Sequence, residues 1–452
     1  MNILQEMRQR RLFFDGGMGS LLQAKGLKAG ELPERWNLTH PEEICGIHRM
    51  YLQAGSDLIT TNTFGANRLK YGEELEKIVS EAVSHAKEAV RAEGHGYVAL
   101  DLGPTGKLLK PLGDLEFEDA VEIYKETVSY GARAGADLVL IETMSDCYEL
   151  KAAVLAAKEA GFSPETGERL PIFATVIFDE KGKLLTGGDV SSTVALLEGL
   201  GVDVLGINCG LGPVQMKGIV EELLSVSSTP VLVNPNAGLP RSENGETVYD
   251  IDAVRFGEVM EEIVKMGAVI VGGCCGTGPE HIRETVKRCK DLPVMWPEKK
   301  NRTVVSSYSQ AVVFDKKTVI IGERINPTGK SKFKQALRDH NLEYILREGV
   351  TQQDNGADIL DVNVGLPEID EPSMMEAVVK ELQAVIDLPL QIDTSNPQAM
   401  ERALRIYNGK ALINSVNGKK EVMDQIFPLV AKYGGVVVGL CLDEDGIPET
   451  AE

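Results

Sequence analysis

Three cysteines have the setting to bind a metal: Cys209 in Gly-Ile-Asn-Cys-Gly, and the adjacent Cys274 and Cys275 in Gly-Gly-Cys-Cys-Gly. Each group follows a short apolar, β-branched run bounded by glycine, which reads as a buried strand. The thiols therefore sit where strands end. Three thiolates meeting there would supply three ligands of a tetrahedral zinc and leave the fourth position open, as catalytic zinc sites do. The spacing is not that of a zinc finger, with its two short Cys-x-x-Cys pairs. A Cys274–Cys275 disulfide would need a strained ring between neighbours. The competing reading is packing, since free cysteine behaves as a small hydrophobe. Cys45, Cys147, Cys289 and Cys441 are read that way, Cys45 and Cys289 in helix-like stretches with no partner signal.

The elements that position these residues alternate along the chain. Strand-like runs cover Leu12–Asp15, Asp57–Phe64, Tyr97–Leu102, Asp137–Met144, Pro171–Phe178, Val202–Cys209, Pro230–Asn234 and Ala268–Gly273, with amphipathic stretches such as Glu81–Glu93 and Glu118–Ala134 between them. Eight strands each followed by a helix predict an α/β fold, a closed (β/α)8 TIM barrel, in preference to a doubly wound open sheet. Such barrels build their sites where the strands end. Polar and glycine-rich clusters do follow the strands: Asp15-Gly16-Gly17, Thr61-Asn62-Thr63, Asp101, Glu142-Thr143, Cys209, Asn234-Pro235-Asn236 and Cys274-Cys275. The last three units are neighbours round a barrel, so the thiols can meet.

The 452 residues allow two or three domains. With 68 acidic against 47 basic residues the formal charge is −21, which argues against nucleic acid, whose binding depends on Lys and Arg against phosphate. No apolar run approaches the ~20 residues of a membrane helix, and the N-terminus lacks a signal-peptide core. Seven cysteines without framework spacing fit a reducing compartment. A cytoplasmic protein without a membrane partner is expected.

Residues 1–295 are thus expected to form the barrel and 296–315, with a Pro-rich, basic start, a linker. Alternation then resumes over 316–452: Val319–Asn326, Asp358–Val364, Leu388–Thr394, Ala411–Val416 and Val436–Leu442 read as strands, the first four again ending in polar residues. Five strands cannot close a parallel barrel, so this unit is either an open sheet or, the preferred reading, a truncated barrel. Asp361, Asp393 and Asn414 stand at successive strand ends, where a carboxylate can accept two hydrogen bonds and an amide can both give and take. Asn326 and Asn363 could join them or cap the following helices, and Glu323 could line the pocket or form an ion pair with Arg324 or another residue.

On these residues the chain resembles the N-terminal part of the cobalamin-dependent methionine synthase family. Asp15-Gly-Gly-Met-Gly, Thr61-Asn-Thr-Phe, Asn208-Cys-Gly, Pro235-Asn-Ala-Gly and Gly272-Gly-Cys-Cys-Gly are similar to the homocysteine S-methyltransferase pattern. Gly322-Glu-Arg-Ile-Asn-Pro-Thr-Gly, Asp361-Val-Asn-Val-Gly, Ile392-Asp-Thr and Asn414-Ser-Val-Asn resemble the pterin-binding, methyltetrahydrofolate domain. The resemblance implies zinc-dependent methylation of homocysteine to methionine. The methyl would come from 5-methyltetrahydrofolate through methylcobalamin held on another domain or chain. It implies Cys209, Cys274 and Cys275 as catalytic metal ligands; the fourth position is open to water or to an Asn oxygen, which the resemblance suggests, with Asn236 in preference to Asn234. Glu142 would take the homocysteine ammonium, with Asp15, Gly16, Asn62 and Thr63 nearby; Glu323, Asn326, Asp361, Asn363, Asp393 and Asn414 would line the pterin site. Family members continue for three further strands, so folate is expected to bind weakly here or not at all. Two other readings stand beside this one: direct methylation from betaine or S-methylmethionine, which has no need of a pterin unit, and a non-catalytic zinc-stabilised binding module.

Overall fold

The computed structural model describes residues 2–28, 30–243, 246–315 and 317–450. The chain divides into two compact units, residues 1–185 with 202–300, and residues 186–201 with 301–452.

In the first unit, β1 (Leu12–Phe13), β2 (Leu58–Thr60), β3 (Tyr97–Leu102), β4 (Leu138–Met144), β5 (Ile172–Val176), β6 (Val204–Asn208) and β7 (Val231–Asn234) run in parallel. After a hairpin of β8 (Arg241–Glu243) and β9 (Glu246–Val248) comes the eighth barrel strand, β10 (Ile270–Val271). The hydrogen-bonded order is β1-β10-β7-β6-β5-β4-β3-β2. Its two ends meet through a parallel bridge between Phe14 and Leu58, and the Asp57 N–H donates to the Phe13 carbonyl at 2.7 Å. The expected barrel is therefore present. Its strands are apolar throughout because both faces are covered; all five residues of β5 and of β6 are buried.

The interior is filled by Phe14, Leu58, Leu140, Phe173, Leu232 and their neighbours. Ile3 and Met7 join this cluster from the helix Ile3–Gln9, while Val294 and Trp296 pack against it. Residues from both ends of the unit thus plug the floor and leave the strand C-termini as the mouth. The outer helices are amphipathic. Leu75–Glu93 buries Ile78, Val79, Ala82, Val83 and Ala86 on one face, the 3.6-residue periodicity that packs a helix against a barrel. Gly94, at φ 79°, ends it in the left-handed conformation that glycine adopts without steric cost.

In the second unit, β11 (Thr303–Ser306) and β12 (Ala311–Phe314) form an antiparallel hairpin. β13 (Ile321–Ile325), β14 (Ile359–Val362), β15 (Leu390–Asp393), β16 (Leu412–Asn417) and β17 (Val436–Leu440) follow as a parallel sheet in sequential order. Residues 303–314 fall in the stretch read as linker. Their β-branched Val304, Val305, Val312 and Val313 make a hairpin instead, and Val305 joins Ile359 and Leu412 in a buried cluster. The edge strands are the open ones: Ile321 on β13 and Leu440 on β17 are exposed. No helix among the described residues is long and apolar enough to cross a membrane.

Candidate metal and substrate site

β6 ends at Asn208, and Cys209 turns off it at φ 56°, a left-handed conformation that non-glycine residues rarely take and that clusters at functional sites. The Cys209 N–H donates to the Asn234 carbonyl at 3.0 Å, the Cys274 N–H to the Pro235 carbonyl at 2.8 Å, and the Ala237 N–H to the Cys275 carbonyl at 3.0 Å. Backbone hydrogen bonds thus lace the loops after β6, β7 and β10 together. The three sulfur atoms lie within 4.8 Å of one another, with Cys209 and Cys275 at 3.9 Å. The loop after β1 packs so closely here that a Cβ on Gly16 would come within 2.5 Å of the Thr277 carbonyl oxygen, and one on Gly17 within 2.8 Å of that of Cys274.

Without a metal the three thiols share protons unequally. Hydrogen bonds from Cys209, then Cys274, hold Cys275 down to about 3, and Tyr249 adds a third. Hydrogen bonding with Cys209 and Cys275, and then burial, push Cys274 well above the usual thiol value. One sulfur is therefore prepared to be an anion. On the loop after β7, Asn236 is 3% exposed and its Oδ1 has no hydrogen-bond partner among the described residues. A buried acceptor in that condition costs free energy unless something fills it. Three thiols and one unpaired amide oxygen are the donor set of a four-coordinate zinc, so the residues present fit the ion. Asn234 Oδ1 is buried and unpaired in the same way, and the geometry leaves both asparagines available.

Carboxylates surround the mouth. Asp15 is buried and accepts the Thr60 N–H at 2.8 Å and the Thr60 hydroxyl at 3.1 Å, which ties the loop after β1 to β2. Burial raises it to about 7. Glu142, at the end of β4, is raised to about 8 by burial first and then by Asp15 and Cys275. Asp101, at the end of β3, is pushed well above the ordinary range by burial, Glu142 and Asp15, and its Oδ1 is buried without a partner among the described residues. Three acids that make no ion pair among the described residues are suited to a cationic ligand such as an ammonium. The Asn62 amide nitrogen donates to the Pro33 carbonyl at 2.9 Å and to Asn37 Oδ1 at 3.0 Å. Thr63 Oγ1 donates to the Asp101 carbonyl at 2.7 Å. These two brace the mouth through its framework.

In the second unit Asp361 is buried at the end of β14, accepts from the Gln391 amide, and is raised to about 6, chiefly by burial. Asn363 donates to Asp393 Oδ2 at 2.9 Å and accepts the Gly365 N–H at 2.9 Å, so it both joins the acids and closes a turn. Asn326 accepts the Thr328 N–H at 2.9 Å, which closes a tight turn; it does not cap the following helix, Ser331–Arg338, whose N-cap is Lys330. Glu323 pairs with Lys330 at 3.2 Å, whereas Arg324 lies 3.7 Å from Glu348. Asn414 lies opposite Asp393 in the β15–β16 register.

Sequence reasoning passed over Asn208 and Tyr249 as working residues. Asn208, fully buried, accepts the Thr143 N–H and the Thr175 hydroxyl, each at 2.8 Å, and donates to Thr143 Oγ1 at 2.7 Å and Glu142 Oε2 at 3.3 Å. Its place before Cys209 is the one signal that could have found it. Tyr249 follows the β8–β9 hairpin, and no pattern in the chain pointed to it.

Comparison with known proteins agrees with this layout. Residues 12–289 match the family model described as homocysteine S-methyltransferase, and residues 322–451 the one described as pterin binding enzyme. All of the chain aligns at 33% identity with the methionine synthase of Mycobacterium leprae (strain TN), and at 32% with that of Mycobacterium tuberculosis (strain ATCC 25618 / H37Rv). It spans 40% of the length of each. In fold it is similar to the homocysteine methyltransferase MmuM from Escherichia coli. The metallated form aligns with a TM-score of 0.53 at 22% identity, covering 63% of this chain and 99% of that one. The oxidised form aligns with 0.52 at 23%, covering 62% and 96%.

Proposed function

The chain belongs to the homocysteine S-methyltransferase family, and on that premise we propose that its barrel methylates L-homocysteine to methionine. The observation that carries this reading is the convergence of Cys209, Cys274 and Cys275 within 4.8 Å; the loop that bears Asn236 is tied to them by the Ala237 N–H on the Cys275 carbonyl. These residues would hold a zinc ion, with Asn236 as the donor that substrate replaces. Zinc, when bound, supplies the Lewis acidity that keeps a thiol deprotonated at neutral pH.

The other tasks fall to the chain itself. Glu142, with Asp15 and Asp101 behind it, takes the substrate ammonium and so aims the homocysteine side chain toward the thiols. Asn208 holds the ends of β4, β5 and β6 together, which keeps Glu142 and Cys209 at a constant separation. The transfer forms a carbon–sulfur bond at homocysteine while the donor leaves with the bonding pair of its methyl carbon. The pterin-binding match at residues 322–451 favours 5-methyltetrahydrofolate as the ultimate donor over betaine or S-methylmethionine. Methylcobalamin on another domain or chain is the proposed carrier. Asp361, Asp393, Asn363 and Asn414 are the proposed contacts for the pterin edge, with Glu323 and Asn326 at its margin.

Calorimetric titration of the zinc-loaded chain with L-homocysteine tests the reading. One homocysteine is expected to bind with release of a proton, and added methylcobalamin is expected to yield methionine. Unchanged homocysteine affinity in the Cys274→Ala, Cys275→Ala double variant would overturn the assignment.

A further inference from the structure

A second group of metal-ligating side chains lies on the outer helices, apart from the mouth. Cys45 is on the helix Pro41–Ala54, and His85 and Glu88 are one turn apart on Leu75–Glu93. We propose that Cys45, His85 and Glu88 bind one divalent transition-metal ion of the zinc class, joining these two helices.

The geometry is the first support. The ligand atoms of the three residues lie within 4.8 Å of one another, with Cys45 Sγ at 3.9 Å from Glu88 Oε2. Bonds to zinc of 2.0–2.3 Å in a tetrahedron set ligand atoms roughly 3.3–3.8 Å apart. The exposed Glu88 has only a short swing to make. Helical residues three apart share a face, so His85 and Glu88 both reach Cys45.

The tautomer of His85 is the second support. His85 Nε2 lies 2.8 Å from the Asn37 carbonyl oxygen. A carbonyl can only accept, so this nitrogen carries the hydrogen and the lone pair of the neutral ring is on Nδ1. That is the arrangement in which metal-binding histidines are commonly held, one nitrogen oriented by a carbonyl and the other on the ion. Glu88 has no basic partner within ion-pair distance among the described residues. Arg49, which also acts on the Cys45 thiol, is engaged with Glu93 at 2.8 Å.

His48 is the third. It follows Cys45 by one turn, is fully buried, and has neither ring nitrogen hydrogen-bonded among the described residues. A further unused nitrogen donor thus lies beside the cluster. Sulfur, imidazole and carboxylate together select a borderline-soft ion over calcium or magnesium. Binding exchanges the Cys45 thiol proton for the metal–sulfur bond, one proton leaves to solvent, and no electron moves. The ion would stabilise the packed helix pair by mass action.

Cobalt(II) is the probe, added to the metal-free full-length chain carrying Cys274→Ala and Cys275→Ala so that the mouth cannot form its own centre. One equivalent with a thiolate-to-cobalt charge-transfer band is expected. Adding Cys45→Ser is expected to abolish that band, and adding the exposed substitution Glu88→Gln to weaken binding at least about tenfold. Absence of the band, or its persistence unchanged after Cys45→Ser, overturns the site. In the chain with its mouth intact, Cys45→Ser is expected to leave homocysteine binding unchanged; this separates a failure here from a failure of the proposed function.

Discussion

Asn208 and Thr143 hold each other from both sides: the Thr143 N–H donates to Asn208 Oδ1 at 2.8 Å, and Asn208 Nδ2 donates to Thr143 Oγ1 at 2.7 Å. Thr143 sits at φ 60°, an outlying conformation for a β-branched residue that persists only when its surroundings enforce it, at about 1–3 kcal/mol. One neighbour of this pair is Glu142 and the other Cys209, so the clasp joins the proposed ammonium contact to a proposed zinc ligand.

Substituting Asn208→Ala removes the clasp and leaves the Thr143 N–H and the Thr175 hydroxyl without their partner. A loss of about 2–3 kcal/mol in urea unfolding is expected, with weaker zinc retention because Cys209 is no longer held. Stability and zinc retention equal to those of the parent chain would show that the clasp contributes neither.

Glu142→Gln is expected to keep the metal and lose substrate. A charge-assisted contact contributes about 1.5–3 kcal/mol, so the homocysteine dissociation constant rises roughly ten- to a hundredfold. Titration calorimetry alongside elemental analysis separates the two effects. An unchanged constant would place the ammonium elsewhere.

Asn236→Ala removes a buried acceptor that has no hydrogen-bond partner among the described residues. Metal-free stability is expected to fall less than for Asn208→Ala. Zinc affinity in the absence of homocysteine is expected to drop about tenfold, and the drop to shrink once homocysteine is present. Competition with a chromophoric chelator, with and without substrate, measures both quantities.

Asp361 makes the second unit sensitive to pH. Burial first, moderated by Gln391, raises it from an ordinary value of 3.8 to about 6. Between those values the folded chain binds more protons than the unfolded one, so this group's stabilising contribution is full below 3.8 and is lost as the pH rises through 6. Asp361→Asn is expected to flatten that part of the profile. Chemical denaturation at mildly acidic and neutral pH, followed by probes in the second unit, reads the difference.

Much of the architecture could be read from the chain because barrel strands are apolar on both faces and turn polar where they end. Cys209, Glu142 and Asp361 stood out on that basis. The cross-strand roles did not. Asn208 serves three strands at once, which depends on register and not on spacing. The hairpin at residues 303–314 reads as linker in the sequence because prolines and basic residues stand just ahead of it, yet Val305 finds Ile359 and Leu412 to pack against. The contact of Cys45 with Glu88 joins two helices across 43 residues of sequence, a separation that no local spacing signals.

The seam between β1 and β10 sets an order of events during synthesis. β10 is the last barrel strand to be made and pairs with the first, and Cys274 and Cys275 follow it directly. A nascent chain with seven strands complete has Cys209 alone to offer an ion at the mouth. Only when the ring shuts, with Gly16 and Gly17 seated against the Cys274–Thr277 turn, do three thiols stand together. Metal bound at the proposed zinc site then marks a barrel that has finished, and an unfinished chain lacks two of its three thiol ligands.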